Sequence, residues 1–135
     1  QYEYTLGGRI IRDKLWFFTA GRLLTLQTGR QLVQTNIPYT FENKTRRYEG
    51  KLTYALTAGH RFQGSFVRNT ADQTNNTFNT SLSMDLRSLT DRQLPDNLWT
   101  INYNGIVTSR LAVEVRASGR NQTFIGSGAK SRDLI

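Results

Sequence analysis

Alternation at a period of two residues, sustained over unusually long segments, is the feature that most confines this chain. Residues 48–56 put Tyr48, Gly50, Leu52, Tyr54 and Leu56 on one face. Arg47, Glu49, Lys51, Thr53 and Ala55 fall on the other. Successive strand side chains point to opposite faces, so this pattern predicts a strand with one apolar and one charged side. The opening segment repeats it, with Tyr2, Tyr4, Leu6, Gly8 and Ile10 against Glu3, Thr5 and Arg9. So do Phe62, Gly64 and Phe66 against Arg61, Gln63 and Ser65. Trp99, Ile101, Tyr103, Gly105 and Val107 oppose Thr100, Asn102 and Asn104, and Leu111, Val113, Val115 and Ala117 oppose Glu114, Arg116, Ser118 and Arg120. No segment sustains apolar residues at helical spacing.

The expected fold is therefore all-β, an antiparallel up-and-down meander of about six long strands. Most run near ten residues, about the 9–11 that cross a bilayer at a tilt and more than the 5–6 usual in soluble sheets. Tight polar turns stand at Arg12-Asp13-Lys14, Thr57-Ala58-Gly59 and Thr108-Ser109-Arg110. Long polar stretches, near 27–45 and 71–96, lie between them and are expected to be loops. Short turns then fall on one rim and long loops on the other, the asymmetry of an outer-membrane barrel. Met84 to Leu89 is expected to form a short helical turn with Asp85 and Asp91 exposed.

A soluble half-buried sheet also alternates, so the charged face decides between water outside and water inside. Arg47, Glu49, Lys51, Arg61, Glu114 and Arg116 share that face and are the candidates to meet a ligand or an internal plug in a wet lumen. Trp16, Phe17, Phe18 and Tyr54 lie near strand ends and are candidates for an aromatic girdle at the headgroup boundary. In hydrocarbon every backbone N–H and C=O needs an internal partner, so strands span only as a closed barrel. Single-chain barrels start at 8 strands. About six strands make an arc, and residues 1–135 are expected to be part of a larger barrel.

Composition removes other classes. There is no Cys and a single His, His60. Disulfides, Cys-based zinc and most His-centred catalysis are excluded, and no nucleophile elbow or Walker signature occurs. Asp72, Asp85, Asp91 and Asp96 lack EF-hand spacing. No enzyme, cofactor or metal site is expected, and His60 reads as a solvated turn residue. The net charge of +8 raises nucleic acid as a rival. A stacking platform needs aromatics and cations on one face, whereas here they lie on opposite faces, so no nucleic-acid partner is expected. The Asn-rich loop offers Asn75, Asn76, Phe78 and Asn79 to a polar ligand from outside.

Particular residues add a resemblance. Gly7-Gly8-Arg9-Ile10-Ile11-Arg12-Asp13-Lys14-Leu15-Trp16-Phe17-Phe18 resembles the "GGPIIRDKLFFF" hairpin of TonB-dependent outer-membrane receptors. The nearest subgroup is the one whose plug follows a carboxypeptidase-regulatory-like domain, often called Oar-like. Arg47 to Tyr54 with its turn to Phe62, and Asp96 to Gly105, are similar to further hairpins of that group. Arg9 stands where the family usually has Pro, and no TonB box or plug domain is present. The resemblance implies a segment of a plugged barrel in the outer membrane of a Gram-negative bacterium. It implies partners in membrane lipid, the receptor's own plug and, through it, TonB. The implied cargo is a bulky scarce nutrient: a siderophore, a vitamin or a glycan. A passive porin, a structural barrel and a soluble β-sheet binding module are the alternatives.

Overall fold

A computed structural model of the chain describes residues 1–77, 83–126 and 128. Seven strands form one antiparallel sheet: β1 (Tyr2–Ile11), β2 (Leu15–Gln31), β3 (Pro38–Thr57), β4 (His60–Asn76), β5 (Thr90–Thr108), β6 (Leu111–Gln122) and β7 (Ile125–Gly126). The first six are neighbours in sequence order, an up-and-down meander. β7 pairs with the Arg92–Gln93 segment of β5, and the Thr123 N–H donates to the Pro95 carbonyl at 3.0 Å. It therefore carries the line of β6 onward along β5. A single 3-10 turn, Leu86–Ser88, is capped by Asp85, whose side chain accepts from the Arg87 N–H. Among the described residues no helix is long and apolar enough to cross a membrane.

The short turns lie where the polar triplets predicted them. At the first, Asp13 adopts a left-handed φ of 58°, which Asp tolerates better than most residues, and the Lys14 N–H donates to the Ile11 carbonyl. The long polar stretches depart from expectation. Strands β2 to β5 run 17 to 20 residues each, so most of 27–45 and 71–96 is strand, not loop. Among the described residues, 32–37, 77 and 83–89 lie between strands on that rim. In the overhanging segments Leu24, Leu26 and Phe41 lie on the charged face and polar residues fill most of the other, so the apolar stripe does not continue, and the backbone ladder holds them.

Cross-strand register fixes what shares a face. On the apolar face, Leu15, Tyr54, Phe62, Tyr103 and Val115 form one row across five strands. The next row is Gly8, Phe17, Leu52, Gly64, Ile101 and Ala117, and the next Leu6, Thr19, Gly50, Phe66, Trp99 and Gly119. Then comes Tyr4, Gly21, Tyr48, Arg68, Asn97 and Asn121, where the stripe ends. From Leu56 to Tyr48 the stripe spans about 26 Å along β3, or about 20 Å after a 40° tilt.

Nothing covers it. Leu52 is 52% exposed, Ile101 54% and Val115 56%. Among the described residues the buried apolar ones are Leu32, Phe41 and Leu89, all at the long-connection end. There the Thr35 hydroxyl donates to the Met84 carbonyl at 3.0 Å and ties the two connections together. Among the described residues the sheet is thus a single layer with no second layer behind either face. Its outer edges, β1 and β6, are 10 and 12 residues long and have no further neighbour among the described residues.

Candidate functional site

The six predicted charges all lie on the face opposite the apolar stripe, but in two groups. Arg47, Glu49 and Lys51 stand along β3. Arg61 on β4 pairs with Asn104 on β5, which pairs with Glu114 on β6, and Arg116 pairs with Asn102. These three therefore gather toward the short-turn rim.

The β3 group is completed by two residues the sequence did not single out. Arg22 lies directly opposite Arg47 across β2 and β3. Like charges so placed repel, and each has its own carboxylate. The Arg22 Nε lies 2.5 Å from the Glu3 Oε1, and the Arg47 Nη2 lies 2.9 Å from the Glu49 Oε2. With Thr5, Phe18 and Ala20 these four line a cleft of about 320 Å³. Two guanidinium–carboxylate pairs beside an aromatic ring give donors, acceptors and a stacking surface within one small volume, suited to a polar, multiply hydroxylated or zwitterionic solute. Arg22 lies in residues 15–26, which are apolar on both faces near their start (Leu15, Trp16, Phe17, Phe18), and this hid its register.

Of the second group, Arg61 and Glu114 line a wider cleft of about 700 Å³ with Trp16, Ala55, Thr57, His60 and Ala112. Arg116 donates to Glu114 at 3.0 Å. Contrary to expectation, His60 is half-buried and not free at its turn. Its Nδ1 lies 2.7 Å from the Tyr103 hydroxyl, and the two rings stack with centroids 6.1 Å apart.

Near the upper end of the charged face Arg120 clasps Asp96 with two bonds of 2.9 Å. These hydrogen bonds hold the Asp96 carboxyl below the usual carboxylate range. Because the folded value is depressed, the stabilisation is present above the unfolded value and fades as pH falls through the folded one. The Asp96→Asn substitution is therefore expected to flatten part of the fall in urea midpoint between about pH 5 and about pH 2, with little change at neutrality because the pair is exposed. An unchanged acid limb would show that the pair carries no stability. Glu42, on the overhang, is lowered likewise, chiefly by its hydrogen bond with Lys44 and then by that with Gln27.

The predicted girdle divides. Phe17 and Tyr54 are on the apolar face, whereas Trp16 and Phe18 pair with Thr53 and Lys51 and so share the charged face. A run of three aromatics in a strand cannot keep one side. The rim of the stripe is marked instead by Tyr4, Tyr48 and Trp99. The loop candidates also change. Asn75 and Asn76 end β4 rather than standing in a loop. The Asn75 side chain donates to the Thr40 carbonyl at 2.8 Å, and its N–H donates to Asp91. Asp91 is accordingly half-buried and not exposed as expected. Asn76 is 6% exposed and donates to Gln73 at 2.7 Å. Both serve the strand end, and Asn76 offers nothing to a ligand. Phe78 and Asn79 lie outside the described residues.

Among the described residues no cluster of His, Asp or Glu is placed to hold a metal. Within the height of the stripe the charged face carries Arg9, Lys51, Arg61, Arg116 and Arg120 against Glu49 and Glu114, and Arg22, Arg47, Glu3 and Asp96 share the row just beyond. The excess is positive and favours anionic solutes. No protein-family model, no curated protein and no solved structure matches the chain.

Proposed function

We propose that this chain forms part of the wall of a closed β-barrel in the outer membrane of a Gram-negative bacterium. The barrel is of the TonB-dependent receptor type and imports a bulky scarce nutrient. One observation carries the membrane part: an apolar stripe crosses all six long strands at about bilayer height, and none of the described residues covers it. An exposed apolar surface of that extent needs a partner, and lipid covers a ring of strands evenly. In lipid the open edges of β1 and β6 must be paired, which requires further strands beside them. The charged face then looks into a wet lumen, where its clefts meet solute or plug.

The resemblance of residues 7–18 to a receptor hairpin supports active import over passive diffusion. Two measurements test the reading. The full-length protein should require detergent to remain monodisperse and should migrate faster on gels unheated than boiled, as closed barrels do. A monodisperse protein without detergent would end the membrane reading. Uptake should then stop when the proton gradient is collapsed. Uptake that continues would leave a passive pore.

A further inference from the structure

The apolar face holds a groove with a charged head. Gly50 and Gly64 are diagonal neighbours, since Gly50 pairs with Phe66 and Leu52 with Gly64. A Cβ built on either would meet nothing within 4 Å. Phe17, Leu52, Phe66, Trp99 and Ile101 wall this trough, which measures about 580 Å³. One row nearer the long connections stands Arg68, with Tyr48 opposite it on β3 and Asn97 on β5.

The basic residues of this outer overhang differ in pairing. Lys44 is held by Glu42 at 2.7 Å, and Arg46 is held by Asp72. Arg68 has no ion pair or side-chain hydrogen bond among the described residues. It sits about 7 Å along β4 from Phe66, which borders the trough. A guanidinium without a counter-ion at the mouth of an apolar trough matches a ligand whose anion and tail are covalently joined. The guanidinium fork reads two oxygens of a phosphate, and Tyr48, its cross-strand partner, brings a hydroxyl to the same row. A free phosphate would use only the head of the site, and an uncharged lipid only the trough.

We infer that Arg68 and the Gly50–Gly64 trough form a binding site for one lipid carrying a phosphate monoester, with an acyl chain along the trough. This rests on the membrane-barrel reading and deepens it, because the site lies on the lipid-facing side at the level where headgroups begin.

The test titrates the full-length protein, in a neutral detergent, with short-chain phosphatidic acid and counts bound lipid by native mass spectrometry. The wild type should retain one phosphatidic acid that neither inorganic phosphate nor diacylglycerol displaces. Arg68→Gln should weaken retention about tenfold or more, the scale of losing a hydrogen bond to a charged group. Gly64→Leu, which fills the trough, should weaken it about fourfold or more, the scale of one buried methylene. Arg110→Gln removes the same charge from the opposite rim and should bind as the wild type does. Equal retention by Arg68→Gln, or equal loss in Arg110→Gln, overturns the site. Displacement by inorganic phosphate reduces it to an anion site and overturns the lipid assignment. A detergent-requiring protein that retains no phosphatidic acid sinks only this inference, whereas one monodisperse without detergent sinks the barrel reading as well.

Discussion

The Leu52→Arg substitution is expected to lower the folding free energy of the full-length barrel in lipid by about 2–4 kcal/mol, the cost of an arginine near the bilayer midplane on the outer face. Leu52 stands in the middle row of the stripe, between Phe17 and Gly64. In the proposed barrel its side chain lies in acyl chains, where a guanidinium must either dehydrate or drag water and headgroups inward. Thr53→Arg, one residue along, places the same group between Trp16 and Gln63 on the charged face. Water is available there, the indole can accept a cation–π contact, and the change should stay within about 0.5 kcal/mol. The comparison has diagnostic force because Leu52 is already 52% exposed to anything that is not protein. If that surroundings were water, Leu52→Arg would be nearly neutral and would improve solubility. Reversible urea titrations in phosphocholine vesicles read both variants, and equal midpoints for Leu52→Arg and wild type would place the stripe in water.

Why some of this was legible in the sequence and some was not follows from where each residue meets solvent. Between the short turns and Tyr48 or Trp99, one face is apolar and the other wet, so alternation marks the strands and the turn triplets mark their ends. Beyond that height the stripe disappears. Arg46, Lys44 and Glu42 continue the face begun by Leu52 and Tyr48, and Leu24, Leu26 and Phe41 now lie on the face of Arg47. With the few apolar residues moved to the other side, period two no longer extends the stripe, and the overhanging parts of β2 to β5, near 27–45 and 71–96, read as loops. The pairings of the clefts were hidden for another reason. Arg47 with Glu49 and Glu114 with Arg116 are two apart on one strand and follow from alternation alone. Arg22 with Glu3 and Arg120 with Asp96 cross between strands, and only the register decides them. A one-residue slip would send each to the other face. Trp16 and Phe18 illustrate the limit of composition: their type suits a headgroup boundary, but their parity places them with Lys51 and Thr53.

Gly119→Ala is expected to cost about 1–3 kcal/mol, an overpacking penalty unusual for adding one methyl group to a strand. A Cβ there would stand 2.6 Å from the Trp99 Nε1 and 2.7 Å from its Cε2. Trp99 pairs with Gly119 and lays its ring over that glycine. Tyr4 covers Gly21 across β1 and β2 in the same way, and Tyr103 covers Gly105 within β5. An aromatic covering a glycine shields otherwise exposed backbone while keeping the ring flat against the sheet. At the edge of the stripe a flat ring leaves the indole N–H near headgroups and its carbons near hydrocarbon. The methyl group would force the indole off the sheet and uncover the strand beneath it. Gly64→Ala, with open space above it, should instead be neutral or gain a few tenths of a kcal/mol by restricting the unfolded chain. The cause is isolated by a double-mutant cycle. Once Trp99→Ala has removed the ring, Gly119→Ala should cost almost nothing, so the two changes should fall short of additive by nearly the whole penalty. Additive losses would mean that Gly119 is required for its backbone and not for the ring above it, and that the aromatic border of the stripe is not built by cross-strand shape.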